Sequence, residues 1–169
     1  MKKLLLLSCA IWLFMDANAQ SDSLKWVREI NDQVWKPFIN SFTSGDKQGF
    51  RNVHSKRVTR IEIDRNVVMN YEKYFPPINP IEGHVLNVKK NSSTTFELRF
   101  DKRISNGSNA WESGFYKGTF TQEGKAPRSW YGRFYVMLEK ENGTWKILVD
   151  ADTGKDANEE NFRKASSME

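Results

Sequence analysis

Between residues 96 and 152, three turn signals separate four segments rich in aromatic and β-branched residues, which narrows the folds open to this chain. Phe96 to Ile104 alternates, with Phe96, Leu98, Phe100 and Lys102 on one face. Ser105-Asn106-Gly107-Ser108 follows, and Asn-Gly suits the positive φ angles of a tight hairpin turn. Trp111 to Phe120 is the second segment, closed by the turn region Gln122 to Arg128. Trp130 to Glu141 and Thr144 to Asp152 are the third and fourth, joined through Asn142-Gly143. Three successive hairpins predict a meander of four antiparallel strands. A weaker strand is expected over Gly83 to Lys90.

A sheet with an apolar face needs cover, and the first half of the chain supplies it. Val27, Ile30, Val34 and Phe38 recur at three- and four-residue steps, joined by Trp35, Ile39 and Phe42. This predicts a first helix, kinked by Pro37, which lacks an amide donor. Ser21, Asp22 or Ser23 is suited to cap its start. Ser44-Gly45-Asp46 stops it and caps a second helix, about Lys47 to His54, with Phe50 and Val53 turned inward. A strand is expected over Arg57 to Ile63. Asp64 then reads as the cap of a third helix carrying Val67, Val68, Tyr71, Tyr74 and Phe75 on one face and ended by Pro76-Pro77. Helices followed by a run of strands form an α+β pattern. After Thr153 the chain is polar and reads as a frayed helix or tail over residues 154–169.

The first 19 residues read as an export signal. Lys2 and Lys3 precede an apolar run from Leu4 to Met15, and Ala17-Asn18-Ala19 gives a small-x-small cleavage pattern before Gln20. The run is too short to span a bilayer, which takes about 20 residues. Leu6-Leu7-Ser8-Cys9 only loosely matches a lipidation motif, since the apolar run continues past Cys9. Removing this segment lowers the net charge from +5 to +4 and removes the single Cys. A chain without thiols has neither a disulfide framework nor a zinc site built on Cys, and suits an oxidising compartment. The reading is therefore a signal peptide over 1–19, one domain over 20–153, and an exported, periplasmic or secreted protein with no membrane-spanning segment.

The ordered set of local patterns resembles the nuclear transport factor 2-like superfamily, also called SnoaL-like. Val34-Trp35-Lys36-Pro37-Phe38, Gly45-Asp46, Phe50 and His54-Ser55 are similar to its first two helices. Ala110-Trp111-Glu112-Ser113-Gly114-Phe115-Tyr116 is similar to its middle strand. Gly132-Arg133-Phe134-Tyr135-Val136, followed by Asn142-Gly143-Thr144-Trp145-Lys146-Ile147, is similar to its last hairpin. The resemblance covers about Leu24 to Thr153. It implies a cone-shaped curved antiparallel sheet wrapped on three N-terminal helices, with an apolar pocket at the open end. It also implies a homodimer through the sheet face. Members include isomerases, cyclases and dehydratases alongside proteins that bind partners, so the fold alone names no activity.

Candidate site residues follow from the strand pattern and from this resemblance. The resemblance places Glu62 nearest the position of the isomerases' general base, but Arg60-Ile61-Glu62-Ile63-Asp64 lacks their acid followed by Pro. Glu62 is thus either a base or a solvated strand carboxylate. His54 is either a base inside the cone or a histidine packed at a helix end. Asp150 and Asp152 stand at i, i+2 on one face of the last strand, and are paired acids if that face lines the pocket. Glu112 and Tyr116, and likewise Arg133 and Tyr135, are candidates for polar contacts there. Trp35, Phe38, Tyr71 and Trp111 are candidates for its walls. No acid stands at ligand spacing with His54 or His84, so no metal or cofactor is expected. The basic residues are spread, and the densest group, Arg51, Lys56, Arg57 and Arg60, reads as a solvated face rather than a nucleic-acid site. The expectation is a module binding a small apolar ligand or a protein partner. The alternative is an enzyme performing proton transfer or dehydration on a cyclic or lipid-like substrate.

Overall fold

A computed structural model describes residues 25–78 and 91–168. The expected export signal, the expected cap at residues 21–23, His84 and the expected weak strand at 83–90 lie outside the described residues.

Helix α1 spans residues 25–44 and buries Ile30, Val34 and Trp35. It runs as a wider π turn over Asn31–Trp35, where the Lys36 amide donates to the Asn31 carbonyl, before resuming as α-helix over Lys36–Ser44. Pro37 accounts for this. It has no N–H for the Gln33 carbonyl, and its ring would crowd that oxygen in a regular turn. Behind the π turn it stands in a first helical turn, where a missing N–H is tolerated. The expected kink is thus a local widening. Gly45, at φ 74°, ends the helix. Asp46 then caps α2, Lys47–Asn52, by accepting from the Gln48 and Gly49 amides at 3.1 and 2.9 Å.

Strand β1 is His54–Glu62, so His54 opens the strand rather than closing the helix. A 3-10 turn, Ile63–Arg65, leads to β2, Val67–Met69, which pairs antiparallel with β1. The expected third helix shrinks to one turn, α3, Tyr71–Tyr74, capped by Asn70. Asp64 is not its cap: its carboxylate accepts from the Thr153 hydroxyl and the Gly154 amide, tying the 3-10 turn to the end of the sheet. Val67 and Val68 are β-branched and find a free strand edge, which outweighs their place in a helical pattern.

The meander is present as expected: β3 Ser92–Ser105, β4 Asn109–Gln122, β5 Arg128–Glu141 and β6 Thr144–Thr153. Asn142 and Gly143 both take positive φ in the last hairpin. The sheet is mixed, however. β1 joins β6 in parallel, giving the order β2-β1-β6-β5-β4-β3-β7. The last strand, β7, Ser166–Ser167, pairs with Arg99 and Phe100 of β3. Before it, α4, Glu159–Lys164, buries Phe162 against Phe115 and Ala165. The polar C-terminal stretch is therefore docked by one aromatic anchor and a short strand.

The main core lies between α1 and the inner sheet face. Trp35, Trp145, Ile30, Val34, Val58, Val136, Leu138 and Ile147 are all fully buried there. The outer face is also apolar in part. Ile104, Trp111, Met137 and Val149 stand opposite one another across β3, β4, β5 and β6, with Ile104 and Met137 well exposed.

Candidate functional site

The inner face turns polar toward the end of β6. Asp150 and Asp152 both point inward, as their spacing requires. Arg60 on β1 is paired in register with Asp150 and bridges both acids, donating to Asp150 Oδ1 at 3.0 Å and Asp152 Oδ1 at 2.7 Å. Tyr74, from α3, donates to Asp150 Oδ2 at 2.9 Å. Tyr116, from β4, donates to Asp152 Oδ2 at 3.2 Å.

Tyr116 reaches that carboxylate because of a glycine. Its partner on β5 is Gly132, and a Cβ there would lie 2.1 Å from the Tyr116 hydroxyl oxygen. The phenol ring therefore lies flat across β5 toward β6. The neighbouring pair repeats the device, with the Trp130 indole lying over Gly118.

His54 stands behind Asp150. Its side chain is fully buried among Phe38, Phe50, Tyr74 and Phe75. Nδ1 lies 2.7 Å from the Phe50 carbonyl, which only a protonated nitrogen can satisfy. Nε2 then faces Asp150 Oδ2 at 3.6 Å and has no hydrogen-bond partner among the described residues.

Burial alone would push the Asp150 carboxyl up. His54, the Arg60 guanidinium and the Tyr74 hydroxyl together outweigh it and hold the group below the ordinary carboxylate range. Burial and the adjacent acid raise both tyrosines, and Tyr116 is pushed up to about 12. Burial works against the Arg60 charge, but the two acids hold it above its ordinary value. Asp150 and Arg60 are thus held charged and the two phenols protonated.

This cluster forms one end of a cavity of about 160 Å³. Trp35, Phe38, Phe42, Phe50, Phe96, Trp130 and Phe134 supply most of its walls, with Leu98, Val136 and Ile147. Of the residues singled out from sequence, Trp35, Phe38, Tyr116, Asp150 and Asp152 line it, and His54 touches it through Asp150.

The other candidates lie elsewhere. Trp111, Arg133 and Tyr135 are on the outer face: Trp111 packs beside Tyr135, and Arg133 pairs with Asp101 between the Phe115 and Tyr135 rings. The sheet carries aromatics on both faces, so alternation alone does not choose between them. Glu112 shares the face of Tyr116 but sits beneath α1, accepting from Trp35 Nε1 at 2.6 Å and Arg103 Nε at 2.7 Å. Burial raises its pKa despite these donors. Tyr71, at the start of the one-turn helix, accepts from Lys56 and is not part of the cavity lining. Glu62 pairs with Arg65 at the strand end. Arg60 leaves the solvated basic face for the cavity. Among the described residues no group of His, Cys, Asp and Glu has the geometry of a metal site.

Arg60 and Tyr74 are the polar site residues that sequence reasoning missed, and Phe42, Phe50, Phe96, Trp130 and Phe134 are walls it did not single out. Arg60 is two residues from Val58, and two residues before Glu62, so its inward face follows once Val58 is known to be buried.

No protein-family model and no curated protein matches the chain. Solved structures do. A nuclear transport factor 2-like superfamily protein from Salmonella enterica serovar Typhimurium aligns with TM-score 0.56 at 16% identity, over 78% of this chain and 92% of that one. ActVI-ORFA from Streptomyces coelicolor gives 0.56 at 8%, over 75% and 94%. A conserved protein from Planctomyces limnophilus gives 0.53 at 14%, over 79% and 94%. The fold is therefore nuclear transport factor 2-like, as the sequence patterns suggested, and identities this low carry the fold alone.

Proposed function

We propose that the inner cavity is a receptor site for a small, mostly apolar cyclic molecule bearing one hydroxyl-type donor. One observation carries this reading: an aromatic-walled cavity ends in two carboxylates, and Asp152 keeps acceptor capacity. Among the described residues Asp152 Oδ1 accepts from Arg60 and Oδ2 takes only the long bond from Tyr116, and its side chain remains 26% accessible. A cavity of about 150 Å³ takes a benzene-sized guest, and this one matches that size. The walls supply affinity through burial, and Asp152 with Tyr116 supplies orientation.

Calorimetric titration with phenol and with toluene tests it. Phenol should bind more tightly than toluene, and Asp152→Asn should narrow the difference, since a neutral amide oxygen accepts more weakly than a carboxylate. Equal affinity for the two molecules, unchanged in the variant, contradicts the reading.

A second reading, an acid–base enzyme, is favoured by His54. Its unpartnered Nε2 faces a carboxylate in a dry site, which is an arrangement for holding a proton between the two groups. Asp150 would pass that proton to or from a cavity ligand, with Arg60 and Tyr74 as its other partners. Turnover of a bound cyclic alcohol that is lost in both His54→Gln and Asp150→Asn would favour this reading over simple binding.

Two further proposals concern the molecule's setting. The N-terminal segment is an export signal, which places the mature domain in the periplasm or outside the cell. The outer-face row Ile104, Trp111, Met137 and Val149, with Ile104 and Met137 exposed, is the face on which a second copy packs, making a homodimer.

A further inference from the structure

A second, more open cavity of about 450 Å³ lies between α1, α2 and the stretch Pro76 to Ile78. Phe42, Phe50 and Tyr74 line both it and the inner cavity. The partition between them is therefore made of side chains. Tyr74 is tethered by its hydroxyl to Asp150. Among the described residues Phe42 meets the rings of Phe96, Phe38 and Phe50, with centroids 4.6, 6.4 and 6.4 Å away, and is 40% exposed. An exposed ring without a polar tether changes rotamer readily. Beyond it the second cavity is walled by Phe75, Pro76, Pro77 and Ile78. Of its polar residues, Asp46 is committed to capping α2 and Arg51 donates to the Pro76 carbonyl.

A single ring fills the inner cavity, and beyond this partition a larger ligand finds a second, apolar space. We propose that the ligand is an amphiphile with a hydroxyl-bearing ring and an aliphatic tail. The ring occupies the inner cavity against Asp152 and Tyr116. The tail displaces Phe42 and lies along Phe75, Pro77 and Ile78. The inference rests on the inner cavity being a ligand site, and it adds the ligand's length and direction. Joined, the two cavities fall in the range of roughly 300–1,000 Å³ usual for ligand sites.

A series from phenol through 4-ethyl-, 4-butyl-, 4-hexyl- and 4-octylphenol, titrated into the whole protein, tests it. Affinity should rise about fourfold per methylene, the gain for burying a CH₂, and should continue to rise from the butyl to the hexyl compound. Ile78→Glu and Pro77→Glu alter only the second cavity, at positions that are half-buried and exposed. Either should leave phenol affinity unchanged and remove the gain from the longer chains. A series that flattens at the ethyl compound overturns the tail assignment while leaving the inner site standing, and so does a chain-length gain untouched by both variants. If no member binds, phenol included, the inner-site reading falls with it.

Discussion

Arg60 decides the electrostatics of the cavity. It is the guanidinium between buried Asp150 and half-buried Asp152, and its side chain is itself mostly buried. Removing it as Arg60→Met leaves the buried Asp150 carboxylate without its counter-ion. A loss of about 3–5 kcal/mol in unfolding free energy is expected, read by urea denaturation. Asp150 gives a pH signature. Its folded pKa lies below its unfolded value near about 3.9, so the stability it contributes is complete above that unfolded value. That contribution is lost as pH falls through the folded pKa. The stability difference between the wild type and Asp150→Asn, measured from about pH 7 to about pH 3, should hold constant and then shrink in the acid range. Gly132 is the third residue of this kind. Gly132→Ala sets a methyl where the Tyr116 ring lies. It should cost roughly 1–3 kcal/mol by overpacking and weaken phenol binding more than toluene binding, because Tyr116 loses its line to Asp152.

At the scale of elements, the sequence was most informative where structure is local. The hairpins of the meander follow from Asn-Gly and from alternation, and the α1–α2 corner follows from Gly45 and Asp46, because each signal acts within a few residues of itself. Asp150 and Asp152 share a face for the same reason. What stayed illegible depends on distant partners. The parallel pairing of β1 with β6 joins residues about ninety positions apart, and nothing in either strand announces it. Val67 and Val68 fitted a helical face until β1 offered them an edge. The outward turn of Trp111, Arg133 and Tyr135 is hidden because an aromatic residue on either face alternates equally well. The C-terminal segment is the clearest case of tertiary override. Its composition is polar, yet Phe162 is 4% exposed and anchors it. Phe162→Ala should cost about 3–5 kcal/mol of local docking energy. Amide exchange at whichever of Arg99 and Phe100 points to β7 should accelerate while the β5 and β6 amides stay protected.

For the whole molecule, the two sheet faces divide the labour. The inner face carries the cavity, and the outer face carries the apolar row proposed to seat a second copy. These roles are separable. Met137→Lys together with Ile104→Lys should convert a sedimenting dimer to a monomer without altering phenol affinity, because neither residue lines the cavity. Loss of binding on dissociation would mean that the second copy completes the site. The central claim is that the aromatic cavity ending in Asp150, Arg60 and Asp152 is where a ligand sits. A crystal structure of the protein soaked with 4-bromophenol tests it most directly, since the bromine marks its own position. The expected result is the ring among Trp35, Phe96 and Phe134 with its hydroxyl within hydrogen-bonding distance of Asp152 and its bromine directed toward Phe42. Bromine on the outer sheet face alone, or an inner cavity that stays closed to the compound at saturating concentration, would contradict the account.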